Sequence, residues 1–407
     1  MIGSLYAGIS GLNANSWAMS VIGDNIANVN TTAYKSSRPS FANLLNQSLA
    51  GYTGNEVGKG VTISGLDASW NQGSLETTGN ATDLAINGKG FFIVSDNGQQ
   101  LYTRAGSFHF DQEGMLVNSD DLVVQGWDLS AGGIIGGATT DVTVPMGGTV
   151  PAQSTGEFSA NVNLDAAAVN GEIFSTSFIV YDSLGNDIPL SVTFTKTVNP
   201  NEWTWAATIP ATAGAMTGGD TGTLTFNPDG SLTNGGVDPS MTVNWNTGAV
   251  TPQTISWDLY EDSTASNGSV TQHAVPSITS FTTQNGYLAG TLQSITINED
   301  GVISGTYSNG QISNLYQIAI ADFPSYAGLT KLGGNVFGAS LDSGQVLRGV
   351  PGEGSMGSLS TNSLEMSNVD LATEFVRLIT TQRAFQANSR VITTSDEILN
   401  ELINIKR

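Results

Sequence analysis

Two hydrophobic rhythms divide the chain. At its start, Ile2, Leu5, Ile9, Leu12, Met19, Ile22 and Ile26 recur at steps of three, four and seven, the spacing of a helix with one apolar stripe. Gly3, Gly8, Gly11 and Gly23 fall in the same stretch. Each glycine costs a helix interior about 1 kcal/mol relative to alanine, so this helix is expected to be marginal alone and to need a packed partner, to which the glycines could instead permit close approach. The C-terminus predicts a longer helix. Leu371, Leu378, Phe385, Ile392 and Leu399 keep strict seven-residue intervals, supported by Phe375, Ile379, Val391, Ile398, Leu402 and Ile403. Ser367 with Asp370 predicts an N-cap and capping box, and Lys406 and Arg407 suit the negative end of the helix dipole. No Gly or Pro interrupts residues 369–407, which predicts a rod on the order of 55 Å long. Polar Gln382, Ser389 and Asp396 at the intervening heptad positions argue against a simple two-stranded dimer of this helix. The expected arrangement packs the two terminal helices on each other, within and between subunits.

Between the helices the period falls to two. Phe91–Val94 and Leu101–Thr103 flank Asp96-Asn97-Gly98, a hairpin signal with Asn-Gly supplying the positive φ angles of a tight turn. Asp229-Gly230 and Asp300-Gly301 repeat the device, and Ser191–Thr195 and Trp203–Trp205 alternate cleanly. The predicted class is mainly β with terminal α-helices: nested, discontinuous β domains, sandwich- or barrel-like, closed by an N-/C-terminal coiled-coil helical domain. A boundary is expected in Gly132–Gly137 or at Pro145–Gly148, with a return near Ser277–Asn285. The division is then 1–70 with 358–407 for the helices and their linkers, 71–145 with 282–357 for an inner β domain, and 146–281 for an inserted outer one.

Charge sharpens that division. Thirteen basic residues face 35 acidic ones, a net charge of −22, which argues against nucleic acid and anionic membrane as partners. Within 147–280 the only basic side chain besides histidine is Lys196. Cysteine is absent and there are two histidines, His109 and His273, so thiolate chemistry and Cys- or His-rich metal sites are excluded. Asp182–Asp187 and Asn298–Gly301 resemble calcium loops faintly, without EF-hand spacing; turn chemistry explains them better. Gly58-Lys59-Gly60 and Gly88-Lys89-Gly90 are too short for a phosphate loop. His109 is expected on a strand face rather than in a catalytic role. Trp203, Trp205, Trp245 and Trp257 suit either a core or a carbohydrate-binding face. No catalytic residue, cofactor or metal is predicted, and an enzyme is not expected.

Three segments carry a resemblance. They are Ser20–Ser36 with its Asp-Asn-Ile-Ala-Asn-Val-Asn-Thr-Thr core, Gly73–Phe92 followed by Tyr102–Phe108, and Ser367–Leu371 through Gln382–Asn388 to the end. In order and spacing these resemble the bacterial flagellar rod and hook family of axial proteins, and the inserted middle resembles its hook members. The sequence departs at Ala33-Tyr34, where the family usually has Gly-Phe, and a different local turn is expected because Ala lacks the easy positive φ of Gly.

The resemblance implies a structural subunit that self-assembles into a curved, flexible tube transmitting torque from rod to filament. It implies a helical homopolymer as the first partner. The distal rod protein, the hook cap, the hook–filament junction protein and the flagellar type III export apparatus are implied as the others. It further implies an extracellular location in the flagellar hook and basal body. The first basic residue is Lys35, so export without a cleaved signal peptide is expected. The expected assembly interface is Leu5, Ile9, Leu12, Ile22 and Ile26 against Leu371, Phe375, Leu378, Phe385, Ile392 and Leu399, with both helices frayed in a free subunit. Asn25, Asn28, Asn30 and Thr31 are expected to bond backbone groups where the first helix ends. A distal rod protein and a sugar-binding surface protein remain as alternatives.

Overall fold

The computed structural model describes residues 2–44, 59–129, 136–145, 147–233, 236–261 and 265–405, with side chains from residue 3 to residue 401. Gly132–Ile135, Met146, Lys406 and Arg407, and the side chains of Ile2, Leu402 and Ile403, lie outside the described residues. The chain forms two compact units. The first comprises Met1–Met146, Ile295–Gly305 and Ser313–Arg407, and the second Gly147–Ser294 with Thr306–Ile312.

Unit 1 opens with helix α1 (Ile2–Ala27) and closes with helix α2 (Leu371–Ile405). At 1.5 Å per residue the 35 residues of α2 run about 52 Å. Strands β1 (Ser37–Asn43) and β2 (Val61–Ala68) form an antiparallel hairpin beside α1. Next come β3 (Leu75–Thr77), β4 (Leu84–Asn87), β5 (Phe91–Asp96) and β6 (Gln99–Thr103). Asn97 and Gly98, at φ 48° and 89°, make the two-residue turn that joins β5 to β6 in register, Phe92 opposite Thr103 and Asp96 opposite Gln99. Residues Phe91–Ser95 of β5 are buried on both faces, which suits their unbroken apolar run. Phe91, Ile93, Tyr102, Trp127, Phe323 and Phe337 share its core.

The last strands return along the first: Ser358–Thr361 pairs antiparallel with β4, and Ser363–Glu365 with β3. Asp370 caps α2 and Ser367 does not. The Thr373 N–H donates to the Asp370 carboxylate at 2.7 Å, whereas the Ser367 hydroxyl accepts from Val369 in a local turn. The helix therefore starts three residues later than the Ser-x-x-Asp spacing suggests.

Unit 2 packs a four-stranded antiparallel meander (Ile173–Tyr181, Asp187–Lys196, Glu202–Thr208, Thr221–Thr225) with a mixed sheet organised around Glu157–Asp165. In Asp187–Lys196 the even-numbered residues Ile188, Leu190, Val192 and Phe194 are buried and the odd ones face outward. There is no closed barrel among the described strands. Trp203, Trp205, Trp245 and Trp257 all lie in this core. The Trp205 and Trp257 rings meet edge-on at 5.4 Å, and the Trp245 N–H donates to Gln253 at 2.7 Å. None of the four is available to stack on a sugar.

Candidate assembly interface

The seam between α1 and α2 is narrow because α1 turns its smallest residues inward. Gly8, Gly11, Ala14, Ala18, Ile22 and Asn25 are buried. The missing Cβ of Gly8 would sit 3.1 Å from Ile392, and that of Gly11 2.8 Å from Asn388. With Asn25 beside Glu374, these contacts run the helices antiparallel. On α2 the buried and half-buried positions are Glu374, Leu378, Thr381, Ala384, Phe385, Asn388, Ser389, Ile392, Ser395 and Leu399, all but Ala384 and Ser389 falling at alternating steps of four and three. The seven-residue series thus holds from Leu378 onward. The polar positions between its members are Glu374, Thr381, Asn388 and Ser395; Ser389 is half-buried beside Asn388, and Gln382 and Asp396 are exposed. A polar half-seam matches a glycine-lined partner, since two bulky rows would hold the helices further apart.

The expected contact set is accordingly split. Ile22 is buried, Leu5, Leu12, Ile26, Leu378, Phe385, Ile392 and Leu399 are half-buried, and Ile9, Leu371 and Phe375 are exposed. Outside the seam the helices carry large apolar side chains facing solvent. Trp17 is 67% exposed, Ile9 46%, Phe375 48% and Ile379 50%. Beside Trp17, the hairpin and α1 frame an apolar groove lined by Ala14, Trp17, Val21, Leu44, Ile63 and Leu66.

The end of α1 is fixed by amide chemistry. Asn25, 1% exposed, donates to the Ser37 carbonyl at 2.8 Å and accepts from the Ser37 N–H at 2.9 Å, so one side chain completes both backbone bonds of a strand residue. Asn28 donates to the Asp24 carbonyl and accepts from the Thr31 hydroxyl; Asn30 is exposed. Burial and neighbouring Asp24 push the Tyr34 phenol well above its ordinary pKa. Ala33, 1% exposed, adopts φ 57° and donates its N–H to the Glu365 carbonyl at 2.7 Å. The left-handed turn that glycine would favour is made here by alanine itself.

Sequence reasoning missed what braces this corner. Glu365, fully buried, holds Lys35 at 2.6 Å and Arg104 at 3.4 Å, both buried. Asn368 accepts from the Ser36 N–H and donates to the carbonyls of Ser69 and Asn71, stitching three segments together. Trp70 sits edge-on to Phe91 and Tyr326, 5.7 and 5.5 Å away. Burial pushes the Lys35 ammonium below its usual pKa, against the pull of Glu365. Lys35 and Arg104 lie inside the family-like segments, but no local pattern pairs them with a glutamate hundreds of residues away.

The faint calcium-loop segments are turns. Asp182 accepts from the N–H groups of Leu184 and Asn186 and from the Thr247 hydroxyl, as a turn residue does. Burial raises its carboxyl pKa, but these bonds more than reverse that and hold it low. The Asn298 side-chain Oδ1 likewise accepts from the Val302 N–H, and His109 is exposed on a two-residue strand. Among the described residues no group of three metal-ligating side chains occurs, and no helix is long and apolar enough to cross a membrane.

The paired terminal helices, the braced linkers and the β units match known proteins along the chain. Residues 5–35 match the flagella basal body rod protein family, 85–171 the flagellar hook protein FlgE/F/G D1 domain, 160–287 the flagellar basal body protein FlaE D2 domain, and 360–405 the flagellar basal body rod FlgEFG protein C-terminal region. Flagellar hook protein FlgE of Treponema pallidum is 34% identical over 465 aligned positions, covering 100% of both chains. That of Salmonella typhimurium is 36% identical with 98% of each covered.

The chain belongs to the flagellar hook protein family.

Membership makes it a structural subunit of the bacterial flagellar hook, a component of the hook and basal body. A hook protein FlgE2 from Helicobacter pylori shares the fold, with a TM-score of 0.54 at 15% identity over 72% of this chain and 100% of that one.

Proposed function

We propose that this hook protein polymerises through the outward faces of its paired helices into a curved tube that bends while it transmits torque. The observation that carries this is the exposure of Ile9, Trp17, Phe375 and Ile379 on helices whose mutual seam is already closed. Apolar surface of this extent on a folded subunit favours association. We assign residues 1–70 and 358–407 to the tube's inner wall, 71–145 and 282–357 to a middle layer, and 146–281 to the outside. The expected interface residues on the seam, such as Leu378 and Ile392, then shape each subunit, and the exposed ones, Ile9, Leu371 and Phe375, join copies. Unit 2 has an acidic exterior, because its one lysine, Lys196, is buried against the carbonyls of Asn199 and Glu202. Contacts between such polar surfaces are weak and wet, which lets outer parts slide while the inner wall stays continuous. The role needs no cofactor and no catalytic residue. It places the protein outside the cell after type III export without a cleaved signal, meeting the distal rod protein, the cap and the junction protein at its ends.

The test is the full chain carrying Phe375→Asp and Ile379→Asp. Polymerisation, followed by sedimentation and negative-stain electron microscopy, is expected to stop while circular dichroism keeps its helical and β content. Normal tubes from this variant would refute the interface. Straight, envelope-confined assemblies of the wild type would instead make it a rod subunit.

A further inference from the structure

Unit 1 holds two cations from early in the chain on one carboxylate from near its end. Lys35 follows α1 and Arg104 follows β6. Glu365 sits in the last strand before α2. All three side chains are at most 5% exposed. Apart from the carboxylate, the Lys35 ammonium meets the Asn71 carbonyl at 2.9 Å, and the Arg104 guanidinium meets those of Ile86 at 3.1 Å and Gly88 at 2.5 Å. The carboxylate also accepts from the Gly73 N–H at 2.9 Å. Carbonyl dipoles solvate the two cations in part, and only Glu365 offsets their charge among the described residues within ion-pair distance. A buried cation stripped of its counter-ion is among the most costly defects a core can carry.

We propose that Glu365 is the closing counter-ion of unit 1. Segments bearing Lys35 and Arg104 cannot pack their shared core until the Glu365 strand docks, so unit 1 stays open until almost the whole chain is present. For a chain delivered N-terminus first, this blocks a prematurely locked unit 1 built from its first 364 residues. Unit 2 contributes no member to the cluster and closes on its own schedule. The inference does not depend on polymerisation: it concerns the order of events within one chain.

Pulse-labelled hydrogen exchange during refolding of the full chain tests it. Amides of β4 to β6 and of Ser358–Glu365 are expected to become protected in one phase, separate from the Asp187–Lys196 strand of unit 2. Protection of β4 to β6 in an earlier phase than Ser358–Glu365 overturns the proposal. A second measurement uses native-state exchange of full-length variants. Glu365→Gln is expected to lower unit 1 protection by about a hundredfold or more, leaving unit 2 unchanged, and adding Lys35→Met is expected to recover about tenfold of that loss. Protection within about threefold of wild type in Glu365→Gln overturns the charge argument. If Glu365→Gln leaves unit 1 unfolded, recovery by Lys35→Met supports the proposal and its failure to recover overturns it.

Discussion

Replacing Asn25 by Asp changes one atom type and tests the whole corner. Asn25 is 1% exposed and its amide group donates to the Ser37 carbonyl and lies 3.5 Å from Glu374 Oε2. The carboxylate introduced by Asn25→Asp still accepts from the Ser37 N–H but loses both donations. It also faces a second carboxylate at that distance. Two unit charges 3.5 Å apart repel by about 5 kcal/mol at an effective dielectric of about 20. Arg377, 2.7 Å from the other oxygen of Glu374 but 47% exposed, offsets only part of this. The expected net cost at neutral pH is about 2–4 kcal/mol. Asn25→Ala, which strands the Ser37 groups without adding charge, should cost about 2–3 kcal/mol.

The pH dependence separates the two variants. Repulsion raises the folded-state pKa of the introduced carboxyl above its unfolded value of about 4. The folded state then binds the proton more tightly, so the penalty is full above the folded pKa and shrinks as the pH falls through it. Urea unfolding followed by circular dichroism at about pH 7 and about pH 4.5 should show Asn25→Asp recovering on acidification relative to Asn25→Ala. Wild-type stability for Asn25→Asp at neutral pH, or a penalty that deepens in acid, would refute the reasoning.

Other consequences are as direct. Ala33→Gly relieves a left-handed backbone and should stabilise unit 1 by about 1 kcal/mol in urea melts, against the usual loss from adding glycine. Trp257→Ala, at the centre of the unit 2 core, should cost about 3–5 kcal/mol, with exchange protection lost in Asp187–Lys196 and retained in α1 and α2. The bond from Thr373 holds the Asp370 carboxyl below its ordinary pKa. Its capping contribution is therefore present above the unfolded value and lost as pH falls through the folded one. Amides in the first turn of α2 should lose protection in that acid range, and Asp370→Ala should abolish the dependence.

What the sequence shows plainly is what local physics decides. Asn97-Gly98 fixes a turn because few other pairs accept two positive φ angles, and Ser191–Thr195 fixes a face because side chains alternate. Asn25 was legible as a residue that satisfies backbone groups, though not that Ser37 supplies both. Most of the helix seam is legible in the apolar spacing, except that Ile9, Leu371 and Phe375 face outward. Hydrophobic periodicity follows Leu5, Ile9 and Leu12, whereas the close approach at Gly8 and Gly11 is defined by side chains that are absent. The glycines carry two readings, a cost to the lone helix and room for a close partner, and Gly8 and Gly11 realise the second. Lys35, Arg104 and Glu365 were out of reach because each is unremarkable beside its sequence neighbours, and only the fold brings them together.

The pairing of β3 and β4 with the last two strands gives the chain the topology of a purse drawn shut at its neck. Every residue from 88 to 357 belongs to one loop whose two ends are clasped. Lengthening a clasped loop costs entropy only logarithmically, about 0.6 kcal/mol for a doubling, and the clasp itself does not move. Variation in length within Gly147–Ser294, whether from evolution or from a grafted domain, therefore leaves the clasp in place.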